Sequence, residues 1–178
     1  MRVKPQKWTV LVVDDDKDDR FFVSRILKSL NAKYSIHGLG SAKEALAYLN
    51  GEGKYSNRKE FEFPSYILTD LKMRPGDGFD LLDFLKQNPA MSVIPVVTLS
   101  ASDDGDDIRH AYLLGASSYI VKPQTQEELQ AALRKIHEYW MICEVPEVDA
   151  SGYAVETDSR GKLGERFKKP MRKGQGGK

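Results

Sequence analysis

Short apolar runs alternate along the chain with segments in which apolar side chains recur every three or four residues. The runs are too brief for helices and several end in turn residues, which predicts buried strands. The periodic segments predict amphipathic helices that cover those strands. The predicted strands cover residues 8–13, 34–39, 66–70, 93–99 and 118–121, and the predicted helices cover residues 17–30, 42–49, 77–86, 103–114 and 126–142.

This regular alternation of strand and helix predicts an α/β domain with a parallel sheet covered on both faces. Five such units are typical of a flavodoxin-like, doubly wound sheet with strand order 2-1-3-4-5. Asp16 is a predicted helix N-cap, and Asp18 and Asp19 in the first turn of that helix favour its dipole. Ser41 and Thr125 each begin a Ser/Thr-x-x-Glu capping box. Residues 51–64 are polar and predict an exposed loop between the second helix and the third strand.

We expect one domain at residues 1–143 and a basic, Gly-rich tail at residues 144–178. The tail has few large apolar side chains, so disorder is expected over most of it. Cys143 is the single cysteine, which excludes an intramolecular disulfide. No stretch predicts a signal peptide or a membrane span, so a cytoplasmic protein with no membrane partner is expected.

The net charge of +1 does not by itself favour a nucleic-acid partner. The tail is locally basic, and basic tails bind phosphate backbones without sequence preference. Few aromatic residues interleave with its charges, so nucleic-acid binding is the less favoured interpretation. The basic residues concerned are Arg160, Lys162, Arg166, Lys168, Lys169, Arg172 and Lys173.

Side chains suited to phosphoryl chemistry follow four of the predicted strands. Asp14 and Asp15 follow the first strand, Asp70 ends the third, Ser100 follows the fourth and Lys122 follows the fifth. Ligands of doubly wound sheets bind at the carboxyl ends of the strands, so these side chains are expected to meet. Clustered carboxylates repel one another unless a cation joins them, and Mg²⁺ prefers carboxylate oxygens. Asp70 is then the candidate nucleophile for an aspartyl-phosphate.

Each of these residues also has an ordinary explanation. An Asp triplet after a strand is more often a turn and a helix cap, and Ser100 alone is more often a helix-cap neighbour. Lys122 alone is a solvated lysine by its residue type. The prediction of a phosphoryl site therefore depends on all four strand ends together.

The chain resembles the receiver domains of bacterial two-component response regulators over about residues 8–142. The resemblance lies in an apolar strand ending in Asp-Asp, in Leu-Thr-Asp-Leu, in Asp-Gly, in Pro-Val-Val-Thr-Leu-Ser-Ala and in Gly-Ala-Ser-Ser-Tyr-Ile-Val-Lys-Pro. The corresponding residues are 10–15, 68–71, 77–78, 95–101 and 115–123.

The resemblance implies a role for each strand-end residue. Asp70 would accept a phosphoryl group from the histidine of a sensor kinase or of a histidine phosphotransfer protein. Mg²⁺ would be bound by Asp14, Asp15, Asp70 and the backbone carbonyl of Lys72. Ser100 and Lys122 would bind the phosphoryl oxygens.

The resemblance further implies a switch made by Ser100 and Tyr119, in which the aromatic ring turns inward as Ser100 moves toward the phosphate. It also implies a cis peptide bond before Pro123. The output would be a changed protein-binding surface on the fourth helix, fifth strand and fifth helix, which is also the expected homodimer face. Residues 143–178 are too few for a typical DNA-binding output domain, so a single-domain switch rather than an enzyme is expected.

A more specific resemblance is to stand-alone regulators paired with bacterial phytochromes. It rests on the long loop at 51–64, the Asp-Asp-Ile start of the fourth helix, and Tyr139 and Trp140 near the end of the last helix.

One feature departs from the family, because Arg74 separates Met73 from the proline that usually follows it. The loop is therefore expected to differ in shape, with the Arg74 side chain in solvent.

Two further hypotheses concern the reaction itself. Lys72 and Ser102 flank the expected path of a hydrolytic water and are predicted to set the lifetime of the phosphoryl group. The alternative function is a Mg²⁺-dependent phosphohydrolase of the haloacid-dehalogenase type, with Asp14 as nucleophile and Asp16 as acid and base. That alternative leaves Asp70 and Lys122 unexplained.

Overall fold

The computed structural model describes residues 8–31, 33–74, 76–144 and 148. Five strands alternate with five α-helices, and a short 3-10 helix follows the second α-helix. The strands are β1 (Trp8–Val13), β2 (Tyr34–Leu39), β3 (Tyr66–Thr69), β4 (Val96–Ser100) and β5 (Ser118–Val121). The helices are α1 (Lys17–Leu30), α2 (Ala42–Asn50), α3 (Gly78–Gln87), α4 (Gly105–Leu113) and α5 (Gln126–Ile142), with the 3-10 helix at Gly53–Ser56.

The strands form one parallel sheet in the order β2-β1-β3-β4-β5, which confirms the predicted fold class. The pairing places Val13 beside Thr69 and Ser100 beside Val121. Asp14 and Asp70 follow the first pair, and Lys122 follows the second. The parallel register therefore carries the predicted site residues to one edge of the sheet.

Each face of the sheet is covered by its own apolar cluster. Leu11 and Val13 of β1 pack in a cluster with α2, α3 and part of α4, whereas Val10 and Val12 pack in a cluster with α1 and α5. Successive side chains of a strand point to opposite faces, so a central strand covered on both sides is apolar throughout. No helix within the described ranges is long and apolar enough to cross a membrane.

The fourth strand begins later than predicted. Ile94 is buried but lies in the turn before the strand, and β4 starts at Val96 rather than at residue 93. Pro95 lacks an N–H and contributes only its carbonyl oxygen, which accepts a hydrogen bond from Ile67 at 2.9 Å. A run of apolar residues was therefore read as strand where the chain is still turning.

The prediction of an exposed loop at residues 51–64 is wrong in part. Tyr55 is buried, and its ring packs against those of Tyr48 and Phe61. Arg58 lies over the ring of Phe63 at 4.2 Å and donates hydrogen bonds to the backbone carbonyls of Leu49 and Phe61. Aromatic residues spaced along a polar segment thus fold it back onto α2, a contact that strand and helix periodicity does not reveal.

The predicted capping box of α2 is also incomplete. The Ser41 hydroxyl accepts from the Glu44 N–H at 3.1 Å, but Glu44 accepts from the backbone N–H of Gly40 instead of that of Ser41. A full box occurs where it was not predicted, between Asp77 and Asp80 at the start of α3. A shorter acidic side chain can therefore replace the usual Glu.

Helix α4 is shorter and less buried than its periodicity suggested. It begins at Gly105 with Asp104 as N-cap, and Ala111 is its buried residue. The helical spacing of Ile108, Ala111 and Tyr112 in the sequence predicts one apolar face, but Tyr112 is half-exposed and Leu113 is exposed. Helix α5 matches its prediction, with Leu133 and Ile136 buried.

Helix α5 ends at Ile142, one residue before the predicted domain boundary. Beyond Glu144 the structure describes Val148, which packs against the cluster beneath α2 and α3. The tail's predicted disorder and its basic residues lie outside the described residues and remain predictions.

Replacing Gly78 by Ala is expected to lower the free energy of unfolding by about 2 kcal/mol, because overpacking beside backbone cannot relax. A Cβ at Gly78 would lie 2.2 Å from the Asp70 carbonyl oxygen. Urea unfolding measures the change. Gly105→Ala is the matched control, since both glycines begin a helix and a Cβ at Gly105 meets nothing within 4 Å. Equal effects of the two substitutions would contradict the prediction.

Candidate functional site

Backbone hydrogen bonds carry the sheet one residue beyond its strands and so position the site. The Asp14 N–H donates to Leu39 at 3.1 Å, and the Asp70 N–H donates to Val13 at 2.9 Å. The Lys122 N–H donates to the carbonyl oxygen of Ser100 at 2.7 Å. The predicted residues from β1, β3, β4 and β5 are therefore held on rigid backbone at one sheet edge.

The Lys122 ammonium lies among three carboxylates. Its Nζ is 2.7 Å from Asp14 Oδ2, 2.8 Å from Asp19 Oδ2 and 3.0 Å from Asp70 Oδ2. Asp14 and Asp70 were expected here. Sequence reasoning had assigned Asp19 only to the helix dipole of α1. Its place in the first turn after the strand-end aspartates was the one signal available for a second role.

The Asp70 carboxylate is buried and oriented by donors on both oxygens. Its Oδ1 accepts from the Ser100 hydroxyl at 2.7 Å and from the backbone N–H groups of Leu71 and Lys72. Its Oδ2 accepts from Lys122. Ser100 is fully buried, so its hydroxyl is directed at Asp70 rather than at solvent.

Burial and charge shift two pKa values at this site. Desolvation raises the pKa of Asp14 above its ordinary value of 3.8, and hydrogen bonds from Lys122 and from the Asp16 N–H only partly offset it. Burial alone would lower the pKa of Lys122, but its hydrogen bonds to Asp14 and Asp19 and the charge of Asp70 raise it above its ordinary value. Lys122 therefore stays charged throughout the physiological range.

Asp15 lies on the solvent side of the same edge. Its Oδ2 accepts from the backbone N–H of Arg74 at 3.1 Å, which ties the loop after β1 to the loop after β3. The side chain of Arg74 is exposed, as predicted. Pro75 lies outside the described residues, so the predicted change in loop shape remains a prediction.

The acidic side chains fit a hard divalent cation in their chemistry. Three carboxylates, those of Asp14, Asp19 and Asp70, surround the Lys122 ammonium, and the exposed Asp15 follows Asp14 in the chain. Among the described residues, no three acidic, His or Cys side chains are arranged so that they could bind one metal ion together. Lys122 bonds both Asp14 and Asp70, so an entering cation must take over oxygens that Lys122 now holds.

A second network lies beside Asp70 on the loops after β3 and β4. Lys72 Nζ is 2.9 Å from Asp107 Oδ2, and the Ser102 hydroxyl donates to the same oxygen at 2.6 Å. Hydrogen bonds from Ser102 and Lys72 lower the pKa of Asp107. The Tyr119 hydroxyl donates to the Ser102 carbonyl oxygen at 2.8 Å, so the predicted switch ring points inward in this structure. The sequence had offered Asp107 only as one of several carboxylates near the start of the fourth helix, without these partners.

A shallow groove adjoins the site between the start of α1 and the loop before α5. Asp19, Phe21, Pro123 and Leu129 are among its lining residues, and Phe21 is 67% exposed. Asp19 thus faces both the groove and Lys122. The predicted cis bond before Pro123 remains a prediction.

Asp16 has a different function from the one that a phosphohydrolase requires. Its Oδ1 accepts from the backbone N–H groups of Asp18 and Asp19 at 2.8 and 3.0 Å, and it caps α1 as predicted. The carboxylate is exposed and engaged at the helix end. This geometry gives the pairing of Asp14 with Asp16 no support.

Replacing Asp14 by Asn is expected to raise the free energy of unfolding at neutral pH by about 1 kcal/mol. The raised pKa of Asp14 means that its charged form is less favourable in the folded chain than in the unfolded chain. That cost is fully present above the raised pKa and is lost as the pH falls to 3.8 and below. Urea unfolding at neutral and acidic pH should therefore show the gain shrinking in acid.

Asp16→Asn is the matched control, two residues away. Backbone hydrogen bonds from Asp19 and Asp18 lower the pKa of Asp16, so ionised Asp16 favours the folded chain at neutral pH. The control should not gain stability there. An Asp14→Asn variant no more stable than wild type at neutral pH would refute the assignment.

The family model for the response regulator receiver domain matches residues 10–134. Response regulator Rcp1 of Synechocystis is 32% identical over 132 residues, which cover 74% of this chain and 88% of Rcp1. The probable methanogenesis regulatory protein FilR2 of Methanothrix harundinacea is 32% identical over 135 residues, covering 74% of this chain and 83% of FilR2.

A similar solved structure is that of the phosphorylated cyanobacterial phytochrome response regulator RcpA, with a TM-score of 0.74 and 32% identity over 79% of this chain and 99% of RcpA. The manganese-bound form of Rcp1 gives a TM-score of 0.72 and 31% identity over 78% of this chain and 99% of Rcp1. These matches confirm the predicted resemblance, and they give the phosphohydrolase alternative no support. The chain belongs to the response regulator receiver domain family of two-component signalling.

Proposed function

We propose that Asp70 is the residue at which this receiver domain accepts its phosphoryl group. The chain is a phospho-accepting signalling switch by its family, and the choice of Asp70 rests on the orientation of one carboxylate. Backbone N–H groups and Ser100 hold Oδ1, while Lys122 contacts Oδ2. A nucleophile held in this way loses little freedom on reaction.

In the proposed reaction a carboxylate oxygen of Asp70 attacks the phosphorus of a phosphohistidine. The new O–P bond forms as the N–P bond breaks, and the released imidazole nitrogen takes up a proton. Ser100 and Lys122 donate to the phosphoryl oxygens, where negative charge must be neutralised. Lys122 already lies within 3.0 Å of Asp70 Oδ2, so it needs only a short shift to reach a phosphoryl group there.

We further propose Mg²⁺ as the divalent metal, bound by Asp14, Asp15, Asp70 and the carbonyl oxygen of Lys72. The carboxylates carry more negative charge than Lys122 alone balances, which supports this set. When bound, Mg²⁺ neutralises charge on the carboxylates and on the phosphoryl oxygens. The manganese-bound form of Rcp1 supports a divalent metal in this family.

The switch is proposed to run from Asp70 through Ser100 to Tyr119. Phosphorylation converts the Asp70 carboxylate, which the Ser100 hydroxyl now contacts, into an acyl phosphate, and Ser100 then moves its hydrogen bond to a phosphoryl oxygen. Tyr119 lies on the edge strand β5 and is tied to the loop after β4 by its bond to Ser102. A shift of that loop therefore reaches the surface of β5 and α4.

A sensor histidine kinase or a histidine phosphotransfer protein is the phosphoryl donor of this family. We propose a bacteriophytochrome as the kinase, supported by the similarity to the phytochrome response regulator RcpA.

Wild-type protein with acetyl phosphate and Mg²⁺ is expected to gain one phosphoryl group, and Asp70→Asn is expected to gain none. Intact mass spectrometry reads both, and chelation of Mg²⁺ should abolish uptake. Asp16→Asn is the control, since its carboxylate caps α1, and it should be modified like wild type. An adduct that survives Asp70→Asn but is lost in Asp14→Asn would instead support the phosphohydrolase.

The proposed donor is tested with purified bacteriophytochrome kinase and ATP in place of acetyl phosphate. Intact mass spectrometry again measures whether the chain gains a phosphoryl group.

The proposed homodimer face comprises α4, β5 and α5, where Tyr112, Leu113 and Val121 are exposed apolar side chains. Leu113→Ser should weaken self-association several-fold if a second copy covers this face, because Leu113 is 62% exposed. Sedimentation velocity across a concentration series, with and without phosphorylation, measures the association. Phe21→Ser is the matched control, since Phe21 is similarly exposed but belongs to α1, which is not one of the three elements of this face. Equal association of both variants and wild type would contradict the face.

A further inference from the structure

Asp107 joins two loops that flank Asp70. Lys72 lies two residues after Asp70 on the loop following β3, and Ser102 lies two residues after Ser100 on the loop following β4. Asp107, in the first turn of α4, bonds both side chains. The carboxylate therefore bridges the gap between the two loops.

The inner ends of both loops are held at the acceptor itself. The Lys72 N–H donates to Asp70 Oδ1 at 3.2 Å, and the Ser100 hydroxyl donates to the same oxygen at 2.7 Å. The outer ends are held by Asp107. Asp70 thus lies beneath a closed ring of contacts.

The same carboxylate connects to Tyr119 through one residue. Ser102 donates its hydroxyl hydrogen to Asp107, and its carbonyl oxygen accepts from the Tyr119 hydroxyl. Fixing the Ser102 side chain also fixes the backbone to which Tyr119 bonds. The position of Tyr119 and the closure over Asp70 therefore depend on one anchor.

A ring contact supports the bridge from its outer side. The Lys72 ammonium lies 5.8 Å from the centre of the Phe79 ring, and that ring stacks on His110 at 4.6 Å. Phe79 belongs to α3 and His110 to α4, so these two helices are joined on the side where Lys72 meets Asp107. The Lys72 side chain is confined by a charge and by an aromatic face.

We propose that Asp107 is a positioning residue that holds Lys72 and Ser102 across the mouth of the Asp70 site and keeps Tyr119 in its inward position. The part of this proposal that concerns phosphoryl lifetime rests on the function proposed above. The part that concerns Tyr119 applies to the unmodified protein.

The bridge affects hydrolysis through access of water. A hydrolytic water attacks the phosphorus from the side opposite the Asp70 oxygen, so it must enter between the two loops. As the new O–P bond forms, the bond from Asp70 to phosphorus breaks, which releases inorganic phosphate and the free carboxylate. Lys72 and Ser102 narrow that entrance only while Asp107 holds them.

The size of the effect is limited by exposure. The side chain of Lys72 is 57% exposed and that of Asp107 is 20% exposed, so solvent screens the ion pair. The Ser102 bond is less exposed, and its charged acceptor makes it the stronger contact. Asp107→Asn removes the ion pair with Lys72 and leaves Ser102 only an uncharged acceptor, so it should shorten the phosphoryl lifetime about threefold to tenfold.

The first readout is the Tyr119 ring in unmodified protein, observed by NMR and assigned with Tyr119→Phe. Asp107→Asn should move the ring signals, and Asp107→Glu should restore them in large part by keeping the charge. Asp106→Asn is the matched control, because it removes the same charge one residue away in the same helical turn. It should leave the signals in place.

The second readout is phosphoryl decay by intact mass after removal of acetyl phosphate. Lys72→Met should speed decay in the wild-type background but add nothing in the Asp107→Asn background, since the ion pair between Lys72 and Asp107 is already lost there. Either readout matching the Asp106→Asn control overturns the proposal. If wild type takes up no phosphoryl group, the proposed function fails, and the Tyr119 signals alone decide the positioning role of Asp107.

Discussion

The functional edge of this molecule depends on the ion pairs between the Lys122 ammonium and three carboxylates. Parallel strands deliver Asp14 and Asp70 to one place, and α1 adds Asp19. Burial of these carboxylates is costly and raises the pKa of Asp14, and the negative charge of Asp70 adds to that rise. Lys122, which follows β5 at the same edge of the sheet, offsets the repulsion between them. A metal ion or phosphoryl group that enters the site must replace contacts that Lys122 now makes with Asp14 and Asp70. Binding therefore requires the Lys122 side chain to rearrange.

The backbone makes this arrangement rigid enough for chemistry. Asp14, Asp70 and Lys122 each donate a backbone N–H to a neighbouring strand, one residue past the regular pairing. The backbone at the start of α3 also lies close to that of Asp70, because Gly78 packs against the Asp70 carbonyl oxygen where a Cβ would have no room. The loops after β3 and β4 are joined instead by side-chain contacts, which meet at Asp107. An acceptor held by backbone beside loops joined by side chains suits a switch that must respond to one added group.

The errors of prediction share a cause. Residues 51–64 were read as an exposed loop because their local composition is polar, yet Tyr55 and Phe61 fold the segment onto Tyr48. The predicted start of β4 was too early because Ile94, before Pro95, is buried although it does not pair with a neighbouring strand. In both cases burial came from contacts distant in sequence, which a local pattern of polar and apolar positions does not contain.

The sequence by itself determined the order of elements, the parallel sheet and the strand-end residues Asp14, Asp70, Ser100 and Lys122. These follow from local periodicity and from the rule that parallel strands place their carboxyl ends together. Only the tertiary structure decided the partners that helices supply, because the side-chain directions of α1 and α4 depend on how each helix packs against the sheet. Asp19 reaches Lys122 and Asp107 reaches Lys72 because of that packing, and the linear chain shows which turn holds each residue but not which partner it meets.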